Sequence, residues 1–223
     1  MTKLPISVFI IAKNEADRIG TAIRSMRDWV DDVHVIDSGS SDDTVATSAA
    51  LGAQTHFREW TGFGPQKVYG ETLCRHPWVI NLDADEEISP ELRDEIMALF
   101  KHGEPPCPAY RMLRTELYNF HKKPHRWAPT SDWIRLYRKD RAGYKDSPVH
   151  DTVAVHHGKT GQLRGRIWHR SFRSFRHHVN GIDGVLISYM YAFQRFIRLA
   201  KTRERFQLAR RQNETEDMTT RTK

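Results

Sequence analysis

The sequence predicts an α/β fold in which a mostly parallel sheet is flanked by helices. Short apolar, β-rich runs alternate with helix-like segments through the first half of the chain, the pattern of strands joined by right-handed crossovers. Three of these runs also end in polar or acidic residues. The carboxyl ends of parallel strands share one edge of a sheet, and that edge is where α/β proteins bind ligands.

The predicted elements follow from hydrophobic periodicity. The first strand covers residues 6–12, and a helix follows in which Ile19, Ile23, Met26 and Val30 have helical spacing. Further strands are predicted at 33–36, 54–57 and 78–82, and helices that end near residues 51, 75 and 100. The order β-α-β-α-β-α-β is therefore predicted for this half.

Four acidic residues directly follow the strand that ends at residue 82. In extended geometry Asp83 and Asp85 point to the same side, roughly 7 Å apart, and they repel each other unless a cation lies between them. Mg²⁺ or Mn²⁺ carrying a diphosphate meets that need, because these ions prefer oxygen ligands. Glu86 and Glu87 are interpreted instead as a solvated acidic turn before a helix that Ser89 caps.

The composition fits one globular domain with an appendage. The chain has 223 residues, of which 39% are hydrophobic, and no apolar run approaches the roughly 20 residues needed to cross a bilayer. The N-terminus has no signal-peptide pattern, so a cytosolic protein is expected. Cys74 and Cys107 lack metal-binding spacing and are interpreted as reduced, structural residues. His156, His157 and His169 lack the helical spacing and the cysteine partners of a zinc site.

The two halves of the chain carry opposite charge. Residues 1–108 contain 10 Lys and Arg against 18 Asp and Glu, a net charge of −8, and residues 109–223 contain 25 against 10, a net of +15. The sum is the formal charge of +7. A basic second half predicts an anionic partner such as a phosphate, a nucleic acid or a membrane surface.

Three runs together resemble a known family. Ile-Ile-Ala-Lys-Asn-Glu at 10–15, Val-Ile-Asp-Ser-Gly-Ser-Ser-Asp-Asp-Thr at 35–44 and Leu-Asp-Ala-Asp-Glu at 82–86 are similar, in order and spacing, to the nucleotide-sugar half of a glycosyltransferase 2 family enzyme with the GT-A fold. The resemblance implies a Rossmann-like sheet, a UDP-sugar donor and a bound Mg²⁺ or Mn²⁺. A Gly62-x-Gly64 element is not a dinucleotide fingerprint, because it does not follow the first strand.

The resemblance assigns roles to the matching residues. Asp37 is expected to bind the uracil or the ribose, and Asn14 and Glu15 to contact the nucleoside. Asp83 is expected to face the ribose and to share the metal with Asp85, the principal metal ligand. Asp37 has an alternative role as a cap of the turn that follows it.

Two cations are candidates for the diphosphate. Lys67 follows a glycine-marked loop near the same edge, where a cation can meet a phosphate, but a solvated lysine at a helix start is an equal alternative. Arg135 suits a diphosphate because guanidinium binds phosphate in bidentate fashion. On a half-exposed strand, Arg135 is equally interpreted as part of a solvated face.

The segment from residue 133 to residue 151 is similar to family members that extend lipopolysaccharide inner cores. In those enzymes a strand reading Arg-Leu-Tyr/Phe-Arg is followed by Val-His-Glu; here the strand is 135–138 and the acid is Asp151 instead of Glu. An inverting transferase needs one base to take the proton of the acceptor hydroxyl. Asp151 is the predicted base, with Asp146 in reserve and Glu86 a distant third.

The chain is predicted to divide into four segments. Residues 1–102 form the donor-binding half, residues 109–172 the acceptor-binding half of the same domain, residues 173–212 a basic amphipathic helical extension, and residues 213–223 a disordered end. The basic turns of the extension, interleaved with phenylalanines, fit an interfacial helix on an anionic inner-leaflet surface as well as a helix packed on the domain.

The expected function is inverting transfer of a sugar, glucose, from a UDP-sugar to a glycolipid of the lipopolysaccharide core, by a cytoplasmic enzyme peripherally associated with the inner membrane. A transferase acting on a polyprenyl-linked or capsule precursor is the alternative within this class. A basic nucleic-acid-binding module is the alternative from another class. No nucleic-acid partner is expected, since the acidic strand ends would repel a phosphate backbone.

Overall fold

A computed structural model describes residues 3–118, 121–147, 152–173 and Phe193. Residues up to Ser171 belong to one compact unit, and residues from Phe172 onward are assigned to a second unit. The predicted base Asp151 and nearly all of the predicted C-terminal extension lie outside the described residues. Within the described part of the chain, no helix is long and apolar enough to span a membrane.

The described part of the first unit contains four helices and ten strands. They follow one another as β1 (Leu4–Ala12), α1 (Ile19–Arg24), β2 (Val30–Asp37), α2 (Thr44–Ala50), β3 (Gln54–Phe57), α3 (Phe63–Leu73), β4 (Trp78–Asp83), β5 (Glu86–Ile88), α4 (Pro90–Leu99), β6 (Ala109–Glu116), β7 (Thr130–Arg138), β8 (Ala142–Tyr144), β9 (Val153–Val155) and β10 (Thr160–His169).

Eight strands form one sheet in the order β3-β2-β1-β4-β7-β6-β10-β5, and β8 and β9 form a separate antiparallel ribbon. The four strands at the β3 end are parallel, and β10 is parallel to β6, whereas β7 runs antiparallel to both neighbours and β5 antiparallel to β10. The sheet is thus parallel in most of its pairings and flanked by helices, as predicted. Each antiparallel pairing includes at least one strand that follows β4 in the chain.

The core lies on both faces of this sheet. On one face, α4 packs against β10 and α1 against β5, and Ile23 of α1, Ile96 of α4 and Leu82 of β4 belong to the same buried cluster. On the other face, α3 and the β8–β9 ribbon cover the sheet, and Phe9 and Tyr137 are completely buried there. Burial on both faces explains why β1 is apolar almost throughout instead of alternating.

Two local predictions have clear outcomes. Ser89 caps α4 as expected: its side chain accepts a hydrogen bond from the backbone N–H of Leu92 at 3.2 Å, and Pro90 occupies the first turn. The helix predicted to reach Val30 is wrong at its end. It stops at Arg24, and Val30 begins β2, where it pairs with Leu4 of β1.

Candidate active site

A cavity of about 540 Å³ opens at the carboxyl edge of the sheet. Its walls come from the end of β1, the loops after β1, β2 and β4, the segment that leads into α3, and the end of β10. The lining residues are Ile11, Ala12, Lys13, Glu15, Ser38, Trp60, Phe63, Asp83, Ala84, Asp85 and His169. The predicted residues Glu15, Asp83 and Asp85 therefore meet in one cavity, which we call the donor cavity.

Asp83, the last residue of β4, is held between two buried cations. Its Oδ1 lies 3.3 Å from Nζ of Lys67, and its Oδ2 accepts a hydrogen bond from Nη2 of Arg135 at 3.1 Å. Burial raises the pKa of Asp83, but Lys67 and Arg135 outweigh burial and hold the pKa far below its usual value. The two cations favour the ionised form of the Asp83 carboxylate and fix its orientation.

The alternatives that placed Lys67 and Arg135 in solvent are wrong. Lys67 is 1% exposed and Arg135 is 5% exposed, and the ammonium of Lys67 lies 5.2 Å from the ring centre of Tyr144. Neither side chain lines the donor cavity. Both side chains contact Asp83, which does line the donor cavity.

The prediction of a solvated turn at Glu86 and Glu87 is also wrong. Glu86 begins the short strand β5 and is 1% exposed, and it accepts hydrogen bonds from the backbone N–H of Asp83 and from Arg135, both at 3.0 Å. Glu87 is partly buried and lies 3.1 Å from Arg170. A buried carboxylate needs such partners. The cationic partners, Arg135 for Glu86 and Arg170 for Glu87, lie 49 and 83 residues away in the chain, so the local acidic pattern does not reveal them.

Asp85 faces two positively charged or proton-donating groups. Its Oδ2 lies 3.2 Å from Nε2 of His169 and 3.4 Å from Nη1 of Arg18. Arg18 is itself fixed by Glu15, to which Nε and Nη2 each donate at 2.7 Å. Burial raises the pKa of Asp85, but the hydrogen bond from His169 and the nearby positive charges leave it below its usual value.

His169 links two carboxylates. At the end of β10 it lies in register with Glu116 of β6, and its Nδ1 is 2.6 Å from Oε1 of Glu116 while Nε2 faces Asp85. Burial lowers the pKa of His169, but the hydrogen bonds with Asp85 and Glu116 outweigh burial and raise the pKa to about 9. The imidazole is thus oriented by one acid toward another.

The loops after β1 and β2 lock each other in place. Asp37 accepts hydrogen bonds from the backbone N–H groups of Gly39 and Ser40, both at 2.9 Å, and from the Ser40 hydroxyl. Asn14, in the left-handed conformation with φ 56°, accepts from the backbone N–H of Ser41 at 2.8 Å. The N–H of Glu15 donates to Thr44 at 2.7 Å. Asp37 therefore has the turn-capping role that was its alternative, and in this structure it does not line the donor cavity.

The side chains at the donor cavity indicate how a metal ion would bind there. Among the described residues, no group of three or more His, Cys, Asp or Glu side chains is arranged to hold a metal ion. Asp85 offers one ligand, and His169 offers a second through Nε2 when a metal ion displaces the proton from that nitrogen. Mg²⁺ and Mn²⁺ bound with a nucleotide need only one or two protein ligands, because phosphate oxygens complete the coordination. A histidine that binds a metal through one ring nitrogen usually donates from the other to a carboxylate, and the contact of Nδ1 of His169 with Glu116 is of this kind. These residues therefore fit a divalent cation that arrives with a diphosphate.

The sequence patterns did not assign four residues to the site. His169 and Arg18 reach Asp85, and Trp60 and Phe63 form an edge-to-face pair, with ring centres 4.9 Å apart, on the cavity wall. For Arg18 a weak signal exists, since it lies three residues after Glu15 at a helix start. His169 has no local signal, because its partners lie 84 and 53 residues away in the chain.

The predicted bases have different outcomes. Asp146 is described and exposed, and it does not line the donor cavity. Asp151 lies outside the described residues, although the residue that follows it, Thr152, is described.

The family model of glycosyl transferase family 2 matches residues 7–159, more than half of the chain and the whole of the donor cavity except His169. The chain belongs to this family. Its fold is accordingly the GT-A fold, and the enzyme is a glycosyltransferase.

Known relatives agree with this assignment. An uncharacterized glycosyltransferase of Rickettsia felis is 35% identical over 89% of this chain and 89% of its own length. The lipopolysaccharide core biosynthesis glycosyltransferase LpsC of Rhizobium meliloti is 30% identical over 73% of this chain and 61% of its own length. Among solved structures, residues 1–349 of TarS from S. aureus share the fold alone, with a TM-score of 0.52 at 13% identity, covering 76% of this chain and 61% of that chain.

Proposed function

We propose that this family 2 enzyme transfers glucose from UDP-glucose, with inversion, to a sugar of the lipopolysaccharide core. The observation that carries the proposal is the convergence of Asp83, Asp85 and His169 on one cavity at the carboxyl edge of the sheet. The similarity to LpsC, a lipopolysaccharide core biosynthesis glycosyltransferase, supports the choice of acceptor. A polyprenyl-linked or capsule precursor is the competing acceptor.

Different residues around the donor cavity would bind the metal ion and the ribose. Asp85 and His169 would hold Mg²⁺ or Mn²⁺, and such a cation stabilises the charge that develops on the departing diphosphate. Asp83 is already neutralised by Lys67 and Arg135. This favours a hydrogen bond from a ribose hydroxyl to Asp83 over direct metal binding by that carboxylate.

The nucleoside would lie along the loops after β1 and β2. Glu15 and Ser38 line that part of the cavity, and the hydrogen bonds of Asn14 and Asp37 keep both loops in shape without the ligand. The exposed faces of Trp60 and Phe63 offer apolar surface for the base. Ligand binding to loops that are already ordered costs less free energy than binding to loops that must become ordered.

Proton transfer requires a base on the acceptor side. On the family resemblance we assign this role to Asp151, with Asp146 as the reserve. Asp151 would take the proton of the acceptor hydroxyl as the oxygen attacks the anomeric carbon from the face opposite the UDP.

The proposal extends to the membrane surface. The acceptor is a glycolipid, and the segment 193–211 of the chain combines Phe193, Phe196 and Phe206 with many arginines and lysines. Such a composition favours binding to anionic headgroups. We therefore place the enzyme at the cytoplasmic face of the inner membrane.

A panel of UDP- and GDP-sugars, each with Mg²⁺, Mn²⁺ or a chelator, tests the donor. UDP-glucose with a divalent cation should raise the melting temperature most, because a ligand that binds only the folded state stabilises it. Transfer is then measured on isolated lipopolysaccharide core and on polyprenyl-linked sugars. Stabilisation by GDP-sugars alone would contradict the donor, and transfer only to the polyprenyl-linked sugars would replace the acceptor.

A further inference from the structure

A second cavity, of about 270 Å³, adjoins the donor cavity. The two cavities meet at an ion pair: Asp83 lines the donor cavity, Arg135 lines the second one, and the two side chains are 3.1 Å apart. Resting on the proposed function, we propose that the second cavity is an acceptor subsite that binds an acidic sugar, through the phosphate or the carboxylate that the sugar carries.

The wall of this cavity is rich in guanidinium groups. Arg111, Arg114 and Arg135 line it, against one lining carboxylate, Asp132. Behind the wall, Asp83 and Glu86 offset Arg135, and Lys67 adds a further cation, so four cations stand against three carboxylates. The balance is positive, and the arginines are the groups that reach the cavity surface.

Arg111 and Arg114 are the groups that an incoming anion can engage. The side chain of Arg111 is 42% exposed and donates from Nε to Asp132 at 2.8 Å. The side chain of Arg114 is 27% exposed, and its nearest carboxylate oxygen, Oε1 of Glu86, is 3.6 Å away. A guanidinium has five N–H donors and binds phosphate or carboxylate in a planar, bidentate fashion. Two such groups on one wall fit an anion better than a neutral hydroxyl.

A break in the strand pairing shapes this wall. In the β6–β7 ladder Tyr110 pairs with Leu136, but Arg111 pairs with Ile134, so Arg135 is an extra residue on β7. A bulge interrupts the alternation of faces and re-aims the side chains beside it, and bulges are common next to active sites. Here the bulge brings Ile134 and Arg135 to the same cavity.

Aromatic residues supply the surface for the sugar ring. Trp133 is 39% exposed at the cavity, and the Tyr144 hydroxyl donates to Asn81 at 2.7 Å, which holds the Tyr144 ring against the wall. A site with apolar aromatic faces and converging cations fits a ring that carries a charged substituent. Its position beside Asp83 assigns it to the acceptor and not to the donor nucleotide.

Calorimetric titration of the full chain with glucose 6-phosphate, glucuronate and glucose tests the subsite. We expect one or both acidic sugars to bind and glucose to bind much more weakly. Arg111→Gln and Arg114→Gln should each weaken binding of the acidic sugar about tenfold, since each removes a charge-assisted contact. Binding of glucose 6-phosphate alone would identify a phosphate as the recognised group, and binding of glucuronate alone a carboxylate.

Arg93→Gln is the matched control. Arg93 is 43% exposed and, like Arg111, is paired with a single aspartate, Asp94, but it lies on α4 away from the cavity. Its variant should bind the acidic sugar as the unaltered protein does. Circular dichroism melting checks that all three variants fold, and Arg111→Lys, which keeps the charge, provides a milder variant.

Two results would overturn the subsite. One is equal binding of the acidic sugar by the Arg111, Arg114 and Arg93 variants, which would place the sugar elsewhere. The other is binding of UDP-glucose by the unaltered protein with no binding of either acidic sugar. Binding of the acidic sugars without binding of UDP-glucose would instead contradict the proposed donor and leave the subsite standing.

Discussion

At the scale of single residues, the buried side chain of Arg135 joins three polar residues behind the donor cavity. Its guanidinium donates to Asn81, Asp83 and Glu86 at 2.6, 3.1 and 3.0 Å. Replacing Arg135 with Met keeps most of the apolar volume but leaves Glu86 without its main cation and Asp83 with Lys67 alone. We expect this to lower the free energy of unfolding by about 3–5 kcal/mol, measured by urea denaturation.

Arg138 provides the comparison on the same strand. It pairs with Glu104 and Asp140 at the protein surface, so Arg138→Met should change the free energy of unfolding little. Equal effects of the two substitutions would show that the buried cluster is not what makes Arg135 important.

The pair Asp85 and His169 makes a separate prediction about metal binding. Asp85→Ala and His169→Ala should each abolish the stabilisation that Mn²⁺ adds to UDP binding and reduce transfer by at least about a hundredfold, because the cation loses a ligand. Thermal melting with UDP, with and without Mn²⁺, measures the first effect. Asp94→Ala, an exposed acid on α4, serves as control. Near-normal Mn²⁺-dependent transfer by the Asp85 variant would exclude it as a ligand.

His56 predicts a dependence of stability on pH. It faces His34, with ring nitrogens 3.0 Å apart, and Asp32 lies beyond His34 at 3.0 Å. Burial and the His34 ring lower the pKa of His56 below its ordinary value of 6.5, while Asp32 opposes them. Between pH 6.5 and the lowered pKa, His56 binds a proton in the unfolded chain but not in the folded protein. The free energy of unfolding therefore falls as the pH decreases through this range.

The size of this effect is limited by one proton. The free energy of unfolding should fall by at most about 1.4 kcal/mol per pH unit between pH 6.5 and the lowered pKa. His56→Gln should remove this part of the slope, measured by denaturation between pH 7.5 and 5.5. An unchanged slope would show that other groups cause it.

At the scale of elements, α3 depends on its close contact with β1. A Cβ added at Gly70 would lie 2.5 Å from Cδ2 of Phe9, a completely buried ring, whereas one added at Gly20 of α1 meets only the flexible end of Arg24, at 3.1 Å. We expect Gly70→Ala to destabilise the protein by about 1–3 kcal/mol despite the better helix propensity of alanine. Gly20→Ala should be neutral or stabilising. Thermal melting compares the two, and a stabilised Gly70 variant would contradict the packing argument.

The same scale shows what the sequence could predict. The strands β1 to β4 and the cap of α4 have strong local signals, and their order, together with the polar loop of each strand, located Glu15, Asp83 and Asp85. The position of His169 depends on the pairing of β10 with β6 and β5. The direction of Arg135 depends on one extra residue in β7. Neither has a periodicity of its own, so only the folded sheet reveals them.

Local sequence patterns also could not predict which charged residues are buried. Lys67, Glu86 and Arg135 are charged residues in segments that read as half-exposed, yet all three are at most 5% exposed. They are buried together, each neutralised by a residue from another strand or helix. Such a cluster is recognisable only when its members are seen in contact.

At the scale of the whole molecule, the charge difference between the halves predicts how the full chain meets a membrane. Residues 109–223 carry a net charge of +15, so the protein should sediment with vesicles that contain anionic lipid and be released as the salt concentration rises. Vesicles of zwitterionic lipid alone should retain much less. Equal retention on both kinds of vesicle would contradict an electrostatic attachment.

The position of β10 has a consequence for how the enzyme is made. Although Asp85 and Arg18 leave the ribosome early, His169 follows only after the rest of the sheet, and β10 must then pair with β5 and β6 to reach them. A nascent chain that ends before residue 160 contains β1 to β4 but lacks the wall of the donor cavity that His169 provides. Synthesis of β10 thus completes the edge of the donor cavity that β1 begins.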